Sequence, residues 1–220
     1  QITGDQEEYF SRILACQPFL NKINSDEVQF KLFRHLGFYH SSMQEPETAD
    51  FYYKLAIKLA LKNRDYKNLS EAYSYSALNF MNASQKDSAL IYTDRAIEYG
   101  RRSKNKAVLS RAFNNQAVVY AFFGQIELSV AKNIMSLQLA EQAHSVWLLA
   151  KYTREIGQLQ KLILNLDAAE EFFNRSYDYA KQIHDKRQMG LALTNLASVQ
   201  LDRGNYQGAI KNANRSINYL

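Results

Sequence analysis

Apolar side chains return along the chain at helical spacing, in segments of about four turns separated by short polar stretches. Written in rows of forty residues, the sequence forms aligned columns. One column reads Ala49, Ala89, Ser129, Ala169, Ala209, and seven residues on another reads Ala56, Ala96, Ser136, Ser176, Ser216. A third reads Ile57, Ile97, Leu137, Tyr177, Ile217, and earlier in the row stand Gly37, Ala77, Ala117, Gly157, Ala197. Five rows agree without an insertion or deletion. The pattern predicts first helices over 27–42, 67–83, 107–123, 147–163 and 187–203, and second helices over 47–62, 86–102, 126–142, 167–183 and 206–220.

Small residues seven apart lie two turns apart on one helix face, where they leave a groove that a neighbouring helix can enter closely. The Gly/Ala column does the same on the preceding helix. Phe33, Tyr73, Phe113 and Leu193 form a large apolar column around these points, broken by Thr153. Polar or helix-breaking residues mark the turns, as in Gln44-Glu45-Pro46, Gly124-Gln125 and Gly204-Asn205. The expected fold is all-α, a right-handed superhelix of antiparallel helix pairs. Residues 25–220 form one solenoid domain of five repeats, preceded by an eroded half repeat over 1–24. Residues 5–20 read as that half repeat's helix, which puts Cys16 in the small column as a packing residue.

These columns resemble the tetratricopeptide repeat family. Asn195-Leu196-Ala197, Gly204-Asn205-Tyr206, Ala209-Ile210 and Ser216-Ile217 follow that family's pattern in order and spacing, and Ile156-Gly157 with Ala169, Phe173 and Ser176 follows it again. The period differs, forty residues against the usual 34, and the proline that commonly closes the repeat is absent from all five. Both departures resemble the long-repeat subset found in bacterial peptide-sensing regulators and in the sensor halves of bacterial transcriptional regulators. The resemblance implies a protein- or peptide-binding module, the sensing or scaffolding part of a larger regulator. The alternative is a self-associating scaffold, with a nucleic-acid-binding solenoid behind it.

Composition narrows this reading further. Eight Gly and two Pro among 220 residues argue against an all-β chain with many tight turns. The single cysteine forms no internal disulfide, which leaves the cytoplasm and the periplasm both open for a soluble chain. No apolar stretch approaches the ~20 residues a membrane helix needs, so this segment is not expected to insert in a bilayer. The first residue is Gln rather than Met, as expected of a trimmed or processed chain. A net charge of +5 gives a weak preference for acidic partners and lacks the Lys/Arg tracts of a nucleic-acid arm.

Catalytic patterns are missing. His35, His40, His144 and His184 form no metal-binding spacing, and neither a phosphate loop nor a Gly-x-Ser-x-Gly elbow occurs. No enzyme activity, metal or cofactor is therefore expected. Asn-x-Ser sequons begin at Asn68, Asn82, Asn174 and Asn214, but the serines of the last two belong to the small column.

In the tetratricopeptide family the first helix of each pair lines the binding wall. Offsets matching 31, 34, 35 and 38 lie off the packing stripe and should face it. They include Lys31, Arg34, His35 and Phe38, then Glu71, Ser74, Tyr75 and Leu78, then Arg111, Asn114, Asn115 and Val118. Lys151, Arg154, Glu155 and Gln158 follow, then Leu191, Thr194, Asn195 and Ser198. Asn pairs a donor with an acceptor, as an extended peptide backbone requires, and Arg grips carboxylates bidentately. The candidate ligand contacts are Arg34, Tyr75, Arg111, Asn114, Asn115, Lys151, Arg154 and Asn195. Cations at the turns between repeats, Lys62, Arg64 and Lys67, then Arg101, Arg102, Lys104 and Lys106, then Lys181, Lys186 and Arg187, suit helix C-termini without any ligand. Ile210, Ile217 and Leu220 stand in packing columns at the far end, where a further stretch of chain or another copy is expected to cover them.

Overall fold

A computed structural model of the protein describes residues 4–219. Helix α1 (Gly4–Cys16) leads through a 3₁₀ turn (Gln17–Lys22) into α2 (Asp26–Ser42), α3 (Pro46–Lys62), α4 (Tyr66–Asn82), α5 (Lys86–Arg102) and α6 (Lys106–Phe122). Then follow α7 (Ile126–Gln142), α8 (Val146–Leu162), α9 (Leu166–Gln182), α10 (Lys186–Asp202) and α11 (Tyr206–Ile217). All regular elements among the described residues are helical, and α2 to α10 start within one residue of the positions the columns predict. The chain divides into two compact units, residues 1–123 with α1 to α6 and residues 124–220 with α7 to α11.

The turns explain why no row gains or loses a residue. Gln44, Arg64, Ser84, Lys104, Gly124, His144, Leu164, His184 and Gly204 all have φ between 51° and 74° and stand twenty residues apart. Each is the left-handed residue that stops a helix. The next amide then reaches back five residues, as Glu45 N–H does to the His40 carbonyl at 2.9 Å and Asp185 N–H to Ala180 at 2.9 Å. The residue after that turn starts the next helix. Asp65, Asn105, Asn165, Asp185 and Asn205 each accept from an amide of the new first turn. A turn of fixed length, closed by the same left-handed residue each time, keeps the period constant.

Packing follows the small columns. Ala56, Ala96, Ser136 and Ser176 are fully buried, and Ser216 nearly so. At two of the serines in the 56 column the hydroxyl finds a carbonyl across the helix crossing. Ser176 Oγ donates to Ala150 O at 2.7 Å, and Ser216 Oγ to Gly190 O at 3.0 Å. The sequons at Asn174 and Asn214 therefore have their serines in the core. Thr153, the break in the large column, is fully buried and returns its hydroxyl to Leu149 O of its own helix at 2.6 Å.

The Gly/Ala column sets the size of its partner on the second helix. A Cβ on Gly37 would stand 2.5 Å from the Tyr53 ring, and one on Gly157 would stand 2.7 Å from the Phe173 ring. Where the column holds Ala77 or Ala117, the residue in the place of Tyr53 and Phe173 is Thr93 or Asn133. Large rings meet glycine and small side chains meet alanine, so the volume at each crossing stays nearly constant.

The N-terminal segment departs from expectation. Helix α1 stops at Cys16 and a 3₁₀ turn with Pro18 in its first positions takes over, where the repeat would have continued as helix. Cys16 therefore sits at a helix end and is exposed, not packed in the small column. The segment is tied down instead by Phe10, which is buried, and by Gln17 Nε2 donating to Tyr52 Oη at 2.7 Å. Leu220 lies outside the described residues.

Candidate functional site

Within residues 1–123 the first helices α2, α4 and α6 lie side by side, and α1 packs on α2. This brings the offset positions of successive repeats together. Arg34 on α2 reaches α4, where its Nη1 donates to Glu71 Oε1 at 2.8 Å and its guanidinium lies over the Tyr75 ring, 5.6 Å from the centroid. Its Nη2 stands 2.9 Å from His35 Nε2. A guanidinium only donates, so His35 Nε2 must accept and the ring proton sits on Nδ1, where it meets Tyr9 Oη from α1. Glu71, Arg34, His35 and Tyr9 thus form a continuous hydrogen-bonded chain across three helices.

Burial and charge both keep His35 neutral. Desolvation lowers its pKa below the ordinary value, and the Arg34 cation lowers it further. Desolvation raises the phenol pKa of Tyr9 and Tyr75, which remain neutral hydrogen-bonding rings. Tyr75 is also stacked on buried Tyr53, with ring planes 14° apart, so the wall behind Arg34 is rigid.

Two recesses flank Arg34. One, about 290 Å³, is walled by Tyr9, Phe10, Phe38 and Tyr75 with Arg34 and His35 at its rim. Phe38 and Tyr9 stand exposed there. The other, about 490 Å³, is polar and includes Lys31, Arg34, Lys67, Glu71 and Arg111. Lys31 pairs with Glu27 at 2.6 Å and Arg34 with Glu71, whereas Lys67 and Arg111 form no ion pair among the described residues. The pair of recesses offers an aromatic slot for one large apolar side chain beside two cations open to a carboxylate.

Of the predicted contacts, Arg34, Tyr75 and Arg111 line these recesses. Asn115 is half-buried on α6. Asn114 is only 1% exposed and belongs to the packing, so it does not face the wall. Its column lies on the flank between adjacent first helices, where short side chains such as Ser74 and Asn114 are covered, while the length of Arg34 carries its head out. In the second unit Lys151 stands 3.7 Å from Glu155 and over the Tyr152 ring, Arg154 buries its Nε without a hydrogen-bond partner, and Asn195 is half-buried. Sequence reasoning missed Tyr9 and Phe10. Their aromatic doublet in an otherwise eroded helix was the available signal.

No family model matches the sequence, and no curated protein does. Solved structures do match. BtubC (BKLC) from P. vanneervenii is 15% identical with a TM-score of 0.79, over 95% of this chain and 89% of that one. A Rap protein complexed with Competence and Sporulation Factor is 15% identical with a TM-score of 0.76, over 96% of this chain and 58% of that one. The apo quorum sensor NprR from B. thuringiensis is 16% identical with a TM-score of 0.69, over 97% of this chain and 62% of that one. The chain thus spans less than two thirds of the Rap and NprR chains it matches. It has the all-α fold of the tetratricopeptide-like repeat proteins.

Proposed function

We propose that the chain is a peptide- or protein-binding module, the sensing or scaffolding part of a larger bacterial regulator, and not an enzyme. The observation that carries this reading is the pair of recesses on either side of Arg34. The aromatic slot takes a large apolar side chain of an extended segment, and Arg111 and Lys67 take a nearby carboxylate. Asn115 supplies a backbone contact beside them, and Lys151, Arg154 and Asn195 on residues 124–220 offer a separate polar surface of that unit. The complex of the Rap protein with Competence and Sporulation Factor and the quorum-sensor role of NprR support binding of this kind.

Selection of a random dodecapeptide display library on the whole chain tests it. Enriched sequences should share a large apolar residue near an acidic one, and Arg34→Ala, Tyr75→Ala and Arg111→Ala should each weaken the selected peptide about tenfold. Selection without enrichment, or peptides indifferent to all three substitutions, would refute the site. A self-associating scaffold is the second reading, favoured by Tyr206, Ile210 and Ile217 on α11, which are 67%, 62% and 73% exposed. Sedimentation of wild type against Ile217→Glu tests it, since a monomer in both cases rules it out.

A further inference from the structure

Within residues 1–123, the turn from α3 to α4 and the turn from α5 to α6 lie at the same edge, because α4 packs on both α5 and α6. Segments 62–67 and 98–106, which make up this edge, hold seven lysines and arginines against two carboxylates, Asp65 and Glu98. Asp65 accepts from Asn68 N–H at 3.0 Å, Glu98 holds Arg102 at 2.7 Å, and Lys62 stands 3.7 Å from Asp26. Arg64, Lys67, Arg101, Lys104 and Lys106 are exposed and form no ion pair among the described residues. The helix dipole favours Arg101 at the C-terminus of α5, but it repels Lys67 and Lys106, which stand in the first turns of α4 and α6. Five unpaired like charges on adjoining turns repel one another, a cost that a bound polyanion removes.

A column of tyrosines ends in the middle of this charge. Tyr99 on α5 stacks with Tyr73, centroids 5.4 Å and planes 9° apart, and with Tyr66, centroids 6.3 Å and planes 16° apart. Tyr66 and Tyr73 lie two turns, about 10.5 Å, apart on α4, so Tyr99 fits between them and Tyr66 is the outer end of the column. The Arg102 guanidinium stands 5.4 Å from the centroid of Tyr99. Tyr66 itself is 37% exposed, with Arg64 and Lys67 on either side of it in the chain. The other repeats place Asp26, Lys106, Val146 and Lys186 at this position, so stacking of the repeats does not require a ring there.

We propose that this edge binds single-stranded nucleic acid. Successive phosphates meet the unpaired cations of the two turns, and one base extends the tyrosine column by stacking on Tyr66. A duplex is a poorer fit, because its base faces are already stacked and closed to a side chain. An acidic protein segment or an anionic lipid surface would answer the cations but leave the exposed end of the column unused. Phosphate and base face are common to RNA and DNA, so the surface accepts either. Of these cations and rings only Lys67 also lines a recess beside Arg34, and the proposal stands independently of peptide binding there.

The test is fluorescence anisotropy of labelled oligo(U) and oligo(dT) dodecamers titrated with the whole chain. At about 50 mM salt both should bind with a Kd of about 100 µM or tighter, and log affinity should fall against log salt with a slope of about −2 to −3.5, as three to five neutralised phosphates require. Arg64→Asn and Lys104→Asn remove a cation while suiting the left-handed backbone at both positions, φ 51° and 55°, and each should make the slope shallower by about 0.7. Tyr66→Leu keeps an apolar contact with Tyr99 but no flat ring, and should weaken binding about tenfold, whereas Tyr66→Phe should bind as wild type does. Arg34→Ala, in the peptide recess, should leave the oligonucleotides bound as before, so the two sites stand or fall separately. No binding of either dodecamer, binding indifferent to Tyr66→Leu, or loss of binding in Arg34→Ala overturns the proposal. Polyglutamate or phosphatidylserine vesicles bound as tightly as oligo(U) also overturn it, because the edge would then read charge alone.

Discussion

Substituting Gly157 by alanine sets two known effects against each other. In the interior of α8 alanine gains about 1 kcal/mol of helix propensity over glycine. The added Cβ, however, would stand 2.7 and 2.8 Å from two carbons of the Phe173 ring and 3.2 Å from Phe172 Cβ. Carbon atoms settle at about 3.5–4.0 Å, so roughly 0.8 Å or more must be found by moving something. Phe173 is fully buried, in a cluster with Ala169, Leu193, Leu196 and Val199, and has no free volume to turn into. Either the ring leaves its rotamer or α8 and α9 separate, at about 1–3 kcal/mol. Packing outweighs propensity, and a net destabilisation of up to about 2 kcal/mol should lower the melting temperature by up to roughly 8 °C. Thermal denaturation followed by circular dichroism measures it. Gly100→Ala is the control, because Ala60, Ala140 and Ala180 hold its column and its nearest contacts would be 3.2 Å away. Placing Gly157→Ala on a Phe173→Ala background should reverse its sign, with only the propensity gain left. A Gly157→Ala protein more stable than wild type would refute the volume compensation between the glycine column and its facing ring.

Three further outcomes follow from the same geometry. Leu164 is 78% exposed and holds φ at 61°, while Gly124 and Gly204 occupy its place in the neighbouring repeats, so Leu164→Gly should stabilise by about 0.5–1 kcal/mol, and a lower melting temperature would count against the turn analysis. Ala96→Leu should cost roughly 1–3 kcal/mol or more, because Ala96 is fully buried and its carbonyl accepts from Ser70 Oγ at 2.8 Å; unchanged stability would disprove the crossing register. The folded pKa of His35 lies below its ordinary 6.5, so the unfolded chain takes up a proton first. Stability is full above that value and declines as pH falls towards the folded pKa, so between about pH 7.5 and pH 5.5 wild type should lose more melting temperature than His35→Gln; equal losses would refute the neutral His35 held by Arg34.

Sequence alone determined the helix pairs and their register. That information is local and repeated: each turn closes with one left-handed residue, five of the nine helix starts that follow carry a side-chain cap, and each crossing is marked by a residue too small to keep a neighbour away. Five aligned rows made these signals legible to within a residue over most of the chain. At α1 the repeat gave way to Pro18, and the column that placed Cys16 in the core no longer applied.

Tertiary structure decided which offset residues come together around a recess. Arg34 and Asn114 share a column, yet one spans two recesses and the other is buried, because side-chain length determines whether a group on the flank of a helix escapes its neighbour. The chain from Glu71 through Arg34 and His35 to Tyr9 joins three helices, and no spacing along one helix encodes it. Periodicity records what every repeat must do to stack, whereas a binding site depends on how individual side chains from different repeats meet.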